Sequence, residues 1–132
     1  MRYLLDTNTC IGATRHHPVV LRHLSGVAPS DCAISTISSY ELYTGVEKCA
    51  NPPQERAKVD LLHQTLCQLA FDLAAAEETA KVRAFLESQG QPIGPYDTLL
   101  AGQARGLSLI LITANTREFS RVPGLAIENW QV

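Results

Sequence analysis

Residues 107–113 read LSLILIT, and the stretch is apolar almost throughout. A strand with one wet face alternates apolar and polar residues, but the run 109–112 does not. Such a strand is buried on both faces, which is the signature of a parallel sheet covered by helices on each side. The rest of the chain fits that reading. Arg2–Leu5, Cys32–Ile34 and Gln68–Phe71 are further short apolar strands, and Ile127 marks a last one. Between them lie longer helical stretches. Thr7–Ala13 forms a turn and short helix. Pro18 opens a second helix with Val19, Val20, Leu21 and Leu24 on one face, ending near Gly26. A third, capped from among Ser35, Thr36, Ser38 and Ser39, runs through Leu42 and Val46 until Asn51-Pro52-Pro53 breaks it. Glu55–Leu66 is a fourth, Ala74–Ser88 a fifth, and Thr98–Arg105 a sixth, with QPIGPYD (91–97) as the loop before it.

Open parallel sheets bind ligands beyond the carboxyl ends of their strands. Asp6 ends the first strand in YLLDTN (3–8), and Asn115 and Glu118 follow the strongest one, so both fall on one rim. Glu41 lies in the apolar and hydroxylic segment SSYELYTG (38–45), and Asp97 lies between PIGPY and TLLAG. Taken singly, Glu41 and Glu118 read more readily as helix caps or solvated charges, whereas for Asp6 and Asp97 capping stands even with a functional role. Crowded on one rim, four carboxylates would repel one another unless they share a cation. Oxygen donors without His or Cys select Mg²⁺ or Mn²⁺. Asn8, Thr113 and Asn115 sit near the same rim, able to hold water or orient a carboxylate, or to serve as ordinary turn residues.

The chain has 132 residues, which suits one domain spanning 1–132, without internal repeats or linkers. A net charge of −2, from 11 Lys and Arg against 13 Asp and Glu, does not resemble a basic nucleic-acid footprint. If four acids gather at one site, nine remain against the 11 cations, and the rest of the molecule carries +2. Cys10, Cys32, Cys49 and Cys67 form no C-x-x-C pair or zinc spacing. No signal peptide or membrane span is evident, so free thiols in a reducing cytoplasm are expected.

LLDTN (4–8), ELYTGVEK (41–48), PIGPYDTLLAGQA (92–104) and LITANTREFSRVPGLAIENW (111–130) together resemble the PIN-domain ribonucleases. More closely they resemble the VapC toxins of type II toxin–antitoxin modules. The resemblance covers nearly the whole chain. It implies a three-layer α/β/α fold with a mostly parallel sheet. It also implies a Mg²⁺- or Mn²⁺-dependent endoribonuclease, usually a homodimer, silenced by a VapB antitoxin in a hetero-oligomer. By motif, Asp6, Glu41, Asp97 and Glu118 match the family's acidic cluster, and Asp6 and Asp97 its direct metal ligands. Many relatives carry an acid where this chain has Asn115, so one protein-held cation is expected here. The ending NTREF…GL…W is similar to the subgroup that cuts initiator tRNA in its anticodon stem-loop.

Water attack on RNA would leave 5′-phosphate products. Arg15, Arg22, Lys48, Arg83, Arg117 and Arg121 are the candidates for phosphate contacts, each also readable as a solvated surface charge. Three Phe, four Tyr and one Trp are few for a stacking groove. The alternatives are a catalytically silent RNA-binding PIN module, or a metal phosphoesterase acting on DNA or a small phosphate ester.

Overall fold

The computed structural model describes residues 1–132. Its strands are β1 (Tyr3–Leu5), β2 (Cys32–Ser35), β3 (Cys67–Leu69), β4 (Ile110–Ile112) and β5 (Ile127–Glu128). Its helices are α1 (Thr7–Thr14), α2 (Pro18–Ser25), α3 (Thr36–Lys48), α4 (Pro52–Thr65), α5 (Leu73–Ser88), α6 (Pro95–Gly106) and α7 (Thr116–Phe119), with a 3₁₀ turn at Pro29–Asp31. The five strands form one sheet, all parallel, in the order β3-β2-β1-β4-β5. Strand order reverses between β1 and β4, which makes their carboxyl ends the topological switch point.

The continuous apolar runs are explained by the two faces. Leu4, Ala33 and Leu111 pack with Val82 and Leu86 of α5 and Leu100, Ala101 and Ala104 of α6. Tyr3, Leu5, Ile34 and Ile112 face the other way, against Cys10 of α1, Leu42 and Val46 of α3, and Val59 and Leu62 of α4. Successive strand residues thus alternate between two dry layers, giving a three-layer α/β/α architecture. Trp130 closes the second layer, 5.1 Å from Tyr3 and stacked on His23 at 5.4 Å.

Several boundaries differ from the sequence reading. The strand expected over 107–113 is only Ile110–Ile112. Leu107 caps α6 and Ser108 takes a left-handed φ of 55°, so the chain turns before it can pair. The third strand ends at Leu69 because Phe71 gives its N–H to Thr36 Oγ1 instead of to the sheet, at 3.1 Å. Pro52 and Pro95 begin helices, because a proline in the first turn has no N–H to lose. Tyr96 and Asp97 therefore belong to α6 and not to a loop. On α2 only Val20 is fully buried, and Leu21 stays on the surface. α7 was not expected. Gly90 ends α5 as expected, at φ 66°.

All four cysteines are free thiols, Cys10 and Cys32 buried and Cys49 and Cys67 half-buried. Burial first, and then Asp6, pushes the Cys10 thiol far above its ordinary value. Burial also lifts Cys32 to about 11. Neither is a nucleophile at neutral pH.

α6 approaches α5 through Gly102. A Cβ there would collide with Thr79, 2.5 Å from its Cα. Backbone cannot yield as a flexible side chain can, so Gly102→Ala is expected to cost about 3 kcal/mol. The readout is a lower urea midpoint at unchanged slope.

Candidate active site: an acidic rim at the switch point

The register sets the site. Leu5 pairs with both Ile34 and Ile112, so the next residues, Asp6, Ser35 and Thr113, stand in one row at the carboxyl edge. Ser35 caps α3 through its Oγ, which accepts from the Ile37 N–H at 3.1 Å. That starts on the rim the helix carrying Glu41.

Asp6 caps α1. Its Oδ1 accepts from the Thr9 N–H at 2.8 Å, and its own N–H donates to the Ile112 carbonyl at 2.9 Å. The residue is 6 % exposed, and Oδ2 has no protein donor. Capping and availability as a ligand therefore coexist, one oxygen for each. Asp97 lies in the first turn of α6, behind Pro95, and is half-buried. Burial, then the charges of Asp6, Glu118 and Glu41, raise its carboxyl above the ordinary Asp value, while the Asn115 amide opposes the shift. Three acids thus lie close enough to Asp97 to repel its charge.

Glu41 Oε1 accepts from the Thr7 hydroxyl at 2.6 Å, and Ser38 Oγ sits 3.0 Å from the same Thr7 oxygen. Glu118 Oε2 accepts from the Asn115 amide at 3.0 Å. Asn115 is itself fixed by its N–H donating to Thr113 Oγ1 at 3.0 Å. None of the six ion pairs in the molecule involves Asp6, Glu41, Asp97 or Glu118. None of the four carboxylates thus has a Lys, Arg or His nitrogen within 4.0 Å.

The residues fit a hard divalent cation. The donors are all oxygens, and the mutual repulsion felt at Asp97 is what a shared cation would relieve. Three or more acids do not close into a ready-made cage. That suits Mg²⁺, which is commonly held by one or two carboxylates and keeps several waters.

The other expected residues divide. Thr113 is buried and spent on the turn, and Asn8 is exposed with no side-chain hydrogen bond. Arg117 on α7 and Arg121 just past it flank Glu118, and Arg121 Nη1 donates to the Pro92 carbonyl at 3.4 Å. Arg83 is paired with Glu87 at 2.8 Å on α5. Arg15 and Lys48 lie at the far ends of α1 and α3, roughly 12 and 18 Å along helices that start at the rim. Arg22 is exposed in the last turn of α2. These three are not brought to the acids. Thr7, read only as the start of a helix, and Ser38, read only as a cap, also belong to the site; Ser38 precedes Glu41 by three residues and so shares its helix face.

The PIN domain family model matches residues 3–125. A tRNA(fMet)-specific endonuclease VapC from Shigella flexneri is 38 % identical over 130 residues, covering 98 % of each chain. The crystal structure of DNA-bound VapBC from Salmonella typhimurium is similar at a TM-score of 0.93, with 39 % identity over 98 % of each chain. VapBC2 from Rickettsia felis, bound to a DNA fragment from its promoter, gives a TM-score of 0.92 at 34 % identity, over 98 % of this chain and 99 % of the other.

Proposed function

Because this chain belongs to the PIN-domain family, and within it to the VapC ribonucleases, we propose that its acidic rim holds a divalent cation and hydrolyses tRNA(fMet). The observation that carries this is the crowding of Asp6, Glu41 and Glu118 around Asp97, with none of the four held in an ion pair. Asp6, through its free Oδ2, and Asp97 hold the cation, Mg²⁺ or Mn²⁺. When bound, such an ion lowers the pKa of a water and neutralises charge at phosphorus. One of Glu41 and Glu118, each steadied by one hydrogen bond, accepts the attacking water's proton, and the other orients that water. Arg117 and Arg121 are the cations placed to meet phosphates beside the rim. Attack by water, not by the 2′-hydroxyl, leaves 5′-phosphate and 3′-hydroxyl ends.

The tRNA(fMet) substrate, cut in its anticodon stem-loop, is supported by the Shigella relative's specificity and by the C-terminal motif. An exposed loop also offers the splayed bases that proteins read in RNA. The partner is a VapB-type antitoxin, supported by the VapBC assemblies of the Salmonella and Rickettsia neighbours. Its place is the apolar groove between α1, α2 and α4. That groove, of about 290 Å³, is lined by Leu21, Leu24, Leu61, Leu62 and Leu66, and Leu61 is 62 % exposed. It suits the apolar face of a partner's helix. A homodimer within the hetero-oligomer rests on the family resemblance. The cytoplasmic setting rests on the four free thiols.

The reading is tested by offering RNA, DNA and a small phosphate diester to the pure chain with Mg²⁺ and with chelator. Cleavage of RNA alone, only with the metal, supports it. RNA bound but never cut favours a silent binding module, and turnover of DNA or the small ester favours a general phosphoesterase. A positioning role for Thr7 follows from its 2.6 Å bond to Glu41. Thr7→Val is expected to lower kcat about 10- to 100-fold, as loss of a supporting hydrogen bond does around metal sites. KM should hardly change, and Thr7→Ser should restore the rate.

A further inference from the structure

Two tyrosines stand at the mouth of the acidic rim, and the proposed reaction leaves them unused. Tyr40 precedes Glu41 on α3, and Tyr96 precedes Asp97 on α6. Their ring centroids are 5.8 Å apart in an edge-to-face arrangement of 63°, and the Tyr96 hydroxyl donates to that of Tyr40 at 3.4 Å. Tyr40 is 57 % exposed and Tyr96 41 % exposed.

A purely structural role explains them poorly. A phenol–phenol bond at 3.4 Å in water adds little, and rings packed to join two helices would be covered. The other tyrosines are engaged elsewhere: Tyr3 is buried in the core, and Tyr43 donates to Asp60 at 2.8 Å. Phe119 and Trp130 are buried as well.

We infer that Tyr40 and Tyr96 form a stacking platform for an unpaired base of the nucleotide next to the cleaved phosphodiester. This rests on the ribonuclease reading of the same site. The chemistry is suited to the place. Four carboxylates repel a phosphate chain, whereas an uncharged ring attracts the face of any base without adding charge. Each ring stands one residue from a proposed catalytic carboxylate, so a base held there sets the neighbouring phosphate over the acids. A platform of two rings is in keeping with a chain that has too few aromatics for a longer stacking groove.

The experiment uses a short single-stranded RNA carrying 2-aminopurine beside the cleavage site, whose fluorescence is quenched on stacking. Binding is measured in chelator, and cleavage kinetics with Mg²⁺. Wild type should quench the probe. Tyr40→Leu and Tyr96→Leu should each relieve quenching and raise KM about 5- to 150-fold, the range measured for base–aromatic stacking. Tyr40→Phe and Tyr96→Phe keep the ring and lose the hydroxyl bond, and should stay near wild type. Mn²⁺ affinity without RNA should be the same in all five proteins. If wild type cleaves this RNA and both Leu variants quench and cleave within twofold of it, the platform is wrong and the ribonuclease reading stands. Weakening of the Phe variants to the level of the Leu variants would also overturn it, by assigning the pair to the helix contact. Wild type that neither binds nor cuts RNA would overturn the underlying reading first.

Discussion

Asp97→Asn lowers RNA cleavage by on the order of 10³-fold or more, about 4 kcal/mol of transition-state stabilisation, and raises the stability of the metal-free protein. The loss follows from deleting one of the two anionic ligands proposed for the cation. The gain follows from the crowding. Burial and three neighbouring acids lift the Asp97 carboxyl, so the folded chain keeps that proton to higher pH than the unfolded chain does. Stability in metal-free buffer is therefore fullest below the unfolded value, about 3.9, and declines as pH rises through the raised folded value. Asparagine has no charge to accommodate, so variant and wild type should differ at pH 7 and converge toward pH 4. Saturating Mg²⁺ should stabilise wild type and leave the variant unmoved. Asp6→Asn should lose cleavage as fully, and asparagine preserves the α1 cap that Asp6 supplies. Urea midpoints with and without chelator, beside initial cleavage rates, read both effects. Normal Mg²⁺-dependent cleavage by either variant would remove these residues from the metal site.

Leu61→Glu separates toxin from antitoxin. A VapB-type helix seated in the groove between α1, α2 and α4 would cover Leu61, now 62 % exposed. A carboxylate placed there must be desolvated against Leu21, Leu24 and Leu62, which costs about 2–4 kcal/mol, or a Kd weaker by roughly 30- to 1,000-fold. In the free chain the same side chain faces water, so fold and RNA cleavage should be unchanged. Expressed alone, wild type and Leu61→Glu should both arrest growth. Co-expressed with antitoxin, only wild type should be relieved, and the inactive Asp97→Asn should be harmless throughout. Undiminished inhibition of Leu61→Glu would move the antitoxin off this groove.

The sheet was legible because burial on both faces writes itself as unbroken apolar runs. Residues such as Leu4 and Leu5 face opposite layers, and both must be apolar. Strand ends were less legible, because Ser108's left-handed turn and Phe71's bond to Thr36 are tertiary events with no local pattern. Asp6 announced itself as an acid closing a buried strand. The meeting of Asp97 and Glu41 with it depends on where α6 and α3 begin, which the proline and serine caps hinted at and the register decided. The Thr7–Glu41 bond spans 34 residues, and the Tyr40–Tyr96 pair 56, so neither could be read from neighbours in sequence.

The most direct measurement is calorimetric titration of Mn²⁺ into the metal-free chain and into the Asp6→Asn/Asp97→Asn double variant, without RNA. Asn115 adds no charge to the rim, so one ion per wild-type chain is expected, and none in the double variant. A double variant that binds Mn²⁺ as tightly as wild type, or a wild type that takes up no ion while still cleaving RNA, would contradict the acidic rim as the metal site.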